Sequence, residues 1–80
     1  MIHVTERAKG ETIISPLTPR ETETLDYIAQ GYTNKQIAAE LKISDQTIKN
    51  HIASIMRKLN ANARTEAVIL ALKQGIISLD

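Results

Sequence analysis

The sequence predicts an all-α domain of four helices, and three observations carry that expectation. The only aromatic residues are Tyr27 and Tyr32. The core must therefore be built from Ile, Leu, Val and Ala, which favours helix packing over a β-sandwich. Thr18, Thr33, Ser44 and Asn62 each stand just before apolar residues that recur every three or four positions, as on an amphipathic helix. No strand pattern or internal repeat is evident along the chain. Eighty residues suffice for one small domain with a thin core.

Residues 1–16 are polar and lack sustained periodicity. They are expected to form a linker or flexible tail ending at Pro16, with Ile13 and Ile14 available to dock on the domain at 17–80. The first helix, about 19–30, opens on "TPRE". Thr18 is its cap, Pro19 suits the first helical position and Glu21 completes a capping box. Leu25, Ile28, Ala29 and Tyr32 repeat at helical spacing, and Gly31 marks the end. The second helix, 34–41, opens on "TNKQ", with Thr33 as cap and Gln36 reaching back. Ile37, Ala38 and Leu41 form its inner face. "KIS" breaks the chain, with Ile43 plugging the corner. Ser44 caps a third helix, 45–59. After "NANA", Asn62 is expected to cap a fourth, about 63–74, which ends at Gly75. The tail "IISL" can fold back on the core. A short helix, a three-residue turn and a longer helix make a helix-turn-helix.

Net charge is only +1, but it is unevenly spread. Residues 34–64 hold Lys35, Lys42, Lys49, Arg57, Lys58 and Arg64 against Glu40 and Asp45, while residues 1–33 are acidic on balance. There is no cysteine, which excludes disulfides and thiolate metal sites and fits a cytoplasmic protein. No apolar run approaches the roughly 18 residues of a membrane span. His3 and His51 are the only histidines. With no paired carboxylate motif and no glycine-rich phosphate loop, the sequence offers no catalytic constellation and calls for no cofactor.

The third helix has two faces. Ile48, Ile52, Ile55 and Leu59 fall in one sector; Gln46, Asn50, Ala53 and Arg57 lie opposite, with Lys49 and Ser54 on the flanks. His51 and Met56 sit at the boundary. No acidic side chain occurs between Gln46 and Lys58. Such a face suits the major groove of duplex DNA. Lys49 can donate to guanine, Asn50 can pair with adenine, and Ala53 can approach a thymine methyl. Gln46, Thr47, Ser54, Arg57 and Lys58 are candidate phosphate contacts. Asn34 and Lys35, at the start of the second helix, and Arg20, in the first turn of the first, add to that set. An ordinary wet surface has a similar composition, so the helix alone leaves both readings open.

"AVILAL", residues 67–72, is apolar all round. Ala67, Val68, Ala71 and Leu72 are expected to pack inward. Ile69 and Leu70, with Lys73 at the margin, then form a dimer seam. The other reading buries this face under Ile13 and Ile14.

The segments "LTPRE", "GYTNKQIAAEL", "IS…TIKNHI", "IMRKL" and "RTEAV" resemble the LuxR-type helix-turn-helix domain over residues 17–77. The resemblance implies a four-helix fold with 45–59 as recognition helix and dimerisation through the fourth helix on an inverted-repeat site. It places base contacts at Lys49, Asn50 and Ala53, and phosphate contacts around Asn34, Lys35, Thr47 and Ser54. Some relatives carry a basic residue where this chain has Ala53. Glycine is common where it has Lys42, so that lysine must take an unusual turn conformation or shift the turn. The resemblance also implies a bacterial transcriptional regulator, with the domain joined to an N-terminal receiver or sensor domain, as in two-component response regulators, and it admits RNA polymerase as a partner. A small stand-alone regulator is the other arrangement. The competing function is a helical protein-interaction or dimerisation module that does not bind DNA.

Overall fold

The computed structural model describes residues 3–6 and 12–79, with side chains from residue 16 onward. Two short antiparallel strands, β1 (His3–Glu6) and β2 (Thr12–Ser15), precede four helices. Val4 lies opposite Ile14 and Thr5 opposite Ile13. These strands correct the expectation that no strand occurs. Val4, Thr5, Thr12, Ile13 and Ile14 are β-branched and favour extended backbone. Each run is only four residues long, too short to show alternation. The expected docking of Ile13 and Ile14 concerns side chains outside the described residues.

The helices are α1 (Pro19–Ala29), α2 (Asn34–Leu41), α3 (Asp45–Leu59) and α4 (Arg64–Lys73). Local hydrogen bonds set their bounds. The Glu21 amide donates to Thr18 Oγ1 at 3.1 Å, and the Thr18 amide donates to Glu21 Oε1 at 2.9 Å. Thr33 and Gln36 repeat this capping box on α2. Ser44 Oγ accepts from the Thr47 amide on α3. Gly31, with φ +92°, closes α1 while the Tyr32 amide donates to the Tyr27 carbonyl at 3.1 Å. Gly75, with φ +75°, closes α4 in the same way, the Ile76 amide donating to the Ala71 carbonyl at 2.8 Å.

Lys42 ends α2 at φ 58° and ψ 45°, in the left-handed region. Of the two expected accommodations, the chain takes the unusual conformation. A side chain there costs about 1 kcal/mol relative to glycine. The Ile43 amide bonds back to the Ala38 carbonyl at 3.0 Å and turns Ile43 onto the second core. Asn60 ends α3 in the left-handed region as well.

Two departures concern α4. Its N-cap is Ala63, without a side-chain cap, rather than Asn62. Instead the Asn62 amide, just before the cap, donates to Glu66 Oε1 at 2.6 Å, tying the approaching chain to the first turn. Leu70, expected to point outward, is half-buried and packs on the core, whereas Ile69 is 45% exposed. The reason is angular. Ala67 and Ala71 are buried, and Leu70 is one turn from the first and adjacent to the second, whereas Ile69 lies opposite Ala67.

The core has two parts. Leu17, Leu25, Ile55, Leu59, Ala67, Ala71, Ile76 and Ile77 fill the space between α1, α3 and α4. Ile37, Ala38 and Ile48 join α2 to α3. Helix α3 contributes to both and runs through the domain as its spine. The tail folds back as expected, through Ile76 and Ile77. No helix among the described residues is long and apolar enough to cross a membrane.

Candidate nucleic-acid interface

The apolar stripe of α3 sends Ile48, Ile55 and Leu59 into the two cores. Burying that stripe forces the opposite face outward. Gln46, Lys49, Asn50, Ala53 and Arg57 are all exposed on it. His51 and Met56 are half-buried, at the boundary as expected.

Gln46 Nε2 donates to Asn50 Oδ1 at 3.0 Å. One lone pair of that oxygen and both amide hydrogens of Asn50 remain for another partner. Thr47 is half-buried, its hydroxyl 2.9 Å from that of the cap residue Ser44. At the start of α2, Lys35 is exposed and Asn34 half-buried, with Asn34 Oδ1 buried and without a hydrogen-bond partner in the chain. Arg20 is exposed and pairs loosely with Glu23 at 3.4 Å. A pair so open to water is worth little and yields easily to a stronger partner.

Ser54 and Lys58 are placed differently. Residues 46, 50, 54 and 58 form one ridge, which drifts by about 40° per step around an α-helix. At Gln46 and Asn50 it faces solvent; by Ser54 and Lys58 it has rolled onto the flank that meets α1. There the Ser54 hydroxyl donates to Glu21 Oε2 at 2.6 Å, and the Lys58 ammonium donates to Glu21 Oε1 at 2.8 Å. Glu21 itself is only 5% exposed. Burial pushes its carboxyl up, but hydrogen bonds from Lys58, Ser54 and the Thr18 amide, with the charge of Lys58, outweigh it and lower the pKa from 4.5 to about 2.

Sequence reasoning assigned Glu21 to the capping box and missed this second role. A capping box shows only local partners, and nothing in the sequence ties residue 21 to residues 54 and 58. On α4, Ile69 and Lys73 are exposed and lie one turn apart, while Leu70 turns toward the core.

Residues 15–71 match the family of bacterial regulatory proteins described as the luxR family. The transcriptional regulatory protein YdfI of Bacillus subtilis is 43% identical over 75 residues, which cover 94% of this chain and 35% of YdfI. The nitrate/nitrite response regulator protein NarP of Escherichia coli is 52% identical over 64 residues, covering 80% of this chain and 30% of NarP. The chain thus spans about a third of the length of these two regulators. The solved structure of the transcription factor GerE superposes with a TM-score of 0.79 at 39% identity, over 82% of this chain and 98% of that one. With four helices, a helix-turn-helix at its centre and these relatives, the chain belongs to the luxR family of bacterial regulatory proteins and carries its DNA-binding helix-turn-helix.

Proposed function

We propose that the domain reads a specific duplex DNA sequence by laying α3 in the major groove, as the effector domain of a bacterial transcriptional regulator of the two-component response-regulator type. One observation carries the reading: α3 offers an exposed face with no carboxylate from Gln46 to Lys58, held outward by two separate core contacts on its other side. Lys49, Asn50 and Ala53 are the base readers. Arg57 and Lys35, both exposed, with Arg20, Asn34, Gln46 and Thr47, anchor the phosphates. Ser54 and Lys58 are left out of this set, because their donors already serve Glu21.

The response-regulator reading is supported by NarP, a response regulator by name, of which the matched part is 30%. In that arrangement residues 1–16 link the domain to a receiver or sensor domain in a cytoplasmic protein. Two copies pair through α4 around exposed Ile69 and Lys73, on an inverted repeat with half-sites about one helical turn apart. RNA polymerase is a further partner of such a regulator.

Lys49→Ala and Asn50→Ala should each weaken binding to the preferred duplex by about 1–3 kcal/mol and relax the choice of base at one position. Arg57→Ala should weaken all sequences about equally. Titrations against a duplex and its single-base variants measure this. Unchanged affinity and base preference in both α3 variants would remove them from the reading face. A domain that ignores duplex DNA altogether would favour the interaction-module reading, with exposed Ile69 as its contact.

A further inference from the structure

We propose that Glu21 is the positioning residue of the recognition helix, holding Ser54 and Lys58 through its two carboxylate oxygens and thereby withdrawing Lys58 from the DNA backbone. The inference rests on the DNA-binding reading above and adds a residue that lies outside the reading face.

Ser54 and Lys58 are one turn apart on the same ridge of α3, and each takes a different oxygen of the same carboxylate, at 2.6 and 2.8 Å. The core packing of Ile48, Ile55 and Leu59 is apolar and non-directional, so it tolerates small rolls of α3 that one polar contact would not prevent. Two contacts one turn apart fix both the roll and the position along the axis, because one residue of slippage turns the ridge by about 100°. The carboxylate is itself fixed from the α1 side. Its Oε1 also accepts the Thr18 amide at 2.9 Å, so the capping box that starts α1 aims the group at α3. The ridge then continues up to Asn50 and Gln46, which bond to each other and are exposed. The buried stripe turns this face outward, and Glu21 narrows the roll and register within which the proposed base readers point.

The second consequence concerns charge. An ammonium 2.8 Å from a buried carboxylate carries its counterion inside the protein. It releases no condensed ion from DNA, so it adds nothing to the salt dependence of binding. Non-specific attraction is correspondingly held down at the end of α3 where Arg57 and Lys58 stand together.

The experiment measures affinity for a selected duplex and for an unrelated duplex over a range of salt. It compares wild type, Lys58→Met, Glu21→Gln and the double variant, each confirmed folded by circular dichroism. Lys58→Met should leave the salt slope unchanged. Glu21→Gln should steepen the slope by about one unit, as Lys58 reaches a phosphate, and lower the ratio of specific to non-specific affinity by about tenfold. The double variant should recover the wild-type slope but not the ratio. A purely structural role for Glu21 would not produce that split. A slope that falls by about one in Lys58→Met, or a ratio preserved in Glu21→Gln, overturns the proposal. Should Glu21→Gln fail to fold, the Lys58→Met slope decides alone. Wild-type protein that binds neither duplex refutes the DNA reading instead. In that case amide exchange at residues 54–59 of the free domain still tests the hold on α3, which is overturned if Glu21→Gln leaves it unchanged.

Discussion

Ile55→Ala should lower the free energy of unfolding by about 3–4 kcal/mol. Ile55 is 1% exposed and lies where α1, α3 and α4 meet, in one cluster with Leu17, Leu25, Leu59, Ala67, Ala71, Ile76 and Ile77. Truncation removes three carbons and leaves a cavity whose walls come from all three helices. Those walls can collapse only in part, because each belongs to a helix held by the rest of the cluster. A domain of this size is stable by only about 4–12 kcal/mol in all, so the loss is a large share of it. Urea denaturation followed by circular dichroism gives the number. Ile69→Ala is the control: its side chain is 45% exposed, and the change should stay within about 0.5 kcal/mol. Equal losses in the two variants would mean that the two sides of the core are wrongly assigned.

Acid should remove a comparable amount through Glu21. Its carboxyl has a pKa of about 2 in the folded chain against an ordinary value of 4.5. A lowered folded-state pKa means that the unfolded chain binds the proton first. The stabilisation is therefore complete above about pH 4.5, shrinks as pH falls, and is gone near pH 2. Its full size is on the order of 3 kcal/mol, an upper value because the Lys58 side chain is 27% exposed and shares its charge with water. Denaturation midpoints between pH 5 and pH 2 should drop less steeply for Glu21→Gln, which has no proton to take up there. Parallel slopes for the two proteins would show that the contact between Glu21, Ser54 and Lys58 does not operate in solution.

What the sequence made legible was local. Thr18 with Glu21, Thr33 with Gln36, and Ser44 with Thr47 are bonds three residues apart, so a reader of the chain can find them, and they fixed the starts of three helices. Gly31 and Gly75 gave two ends because a left-handed residue was needed there. Where glycine was absent, at Lys42, the alternatives stayed open until φ was known. The outward face of α3 followed from its apolar stripe. What stayed hidden was non-local or finely balanced. Glu21 meets Ser54 and Lys58 across 33 and 37 residues of chain. Leu70 sits on a helix with apolar residues on every side, and only the packing of Ala67 and Ala71 decides which way it turns. The start of α4 differed by one residue: its N-cap is Ala63, without a side-chain cap, while the Asn62 amide is taken by Glu66. The two strands are too short to announce themselves by alternation.

The function proposed for the outer face of α3 is the reading of duplex DNA. Selection of bound molecules from a pool of random duplexes, repeated at rising salt, tests it most directly. A recurrent sequence element should emerge, with binding that falls steeply with salt and a preference altered at single positions by Lys49→Ala and Asn50→Ala. A pool that returns no preferred sequence, or binding that does not respond to salt, would contradict it.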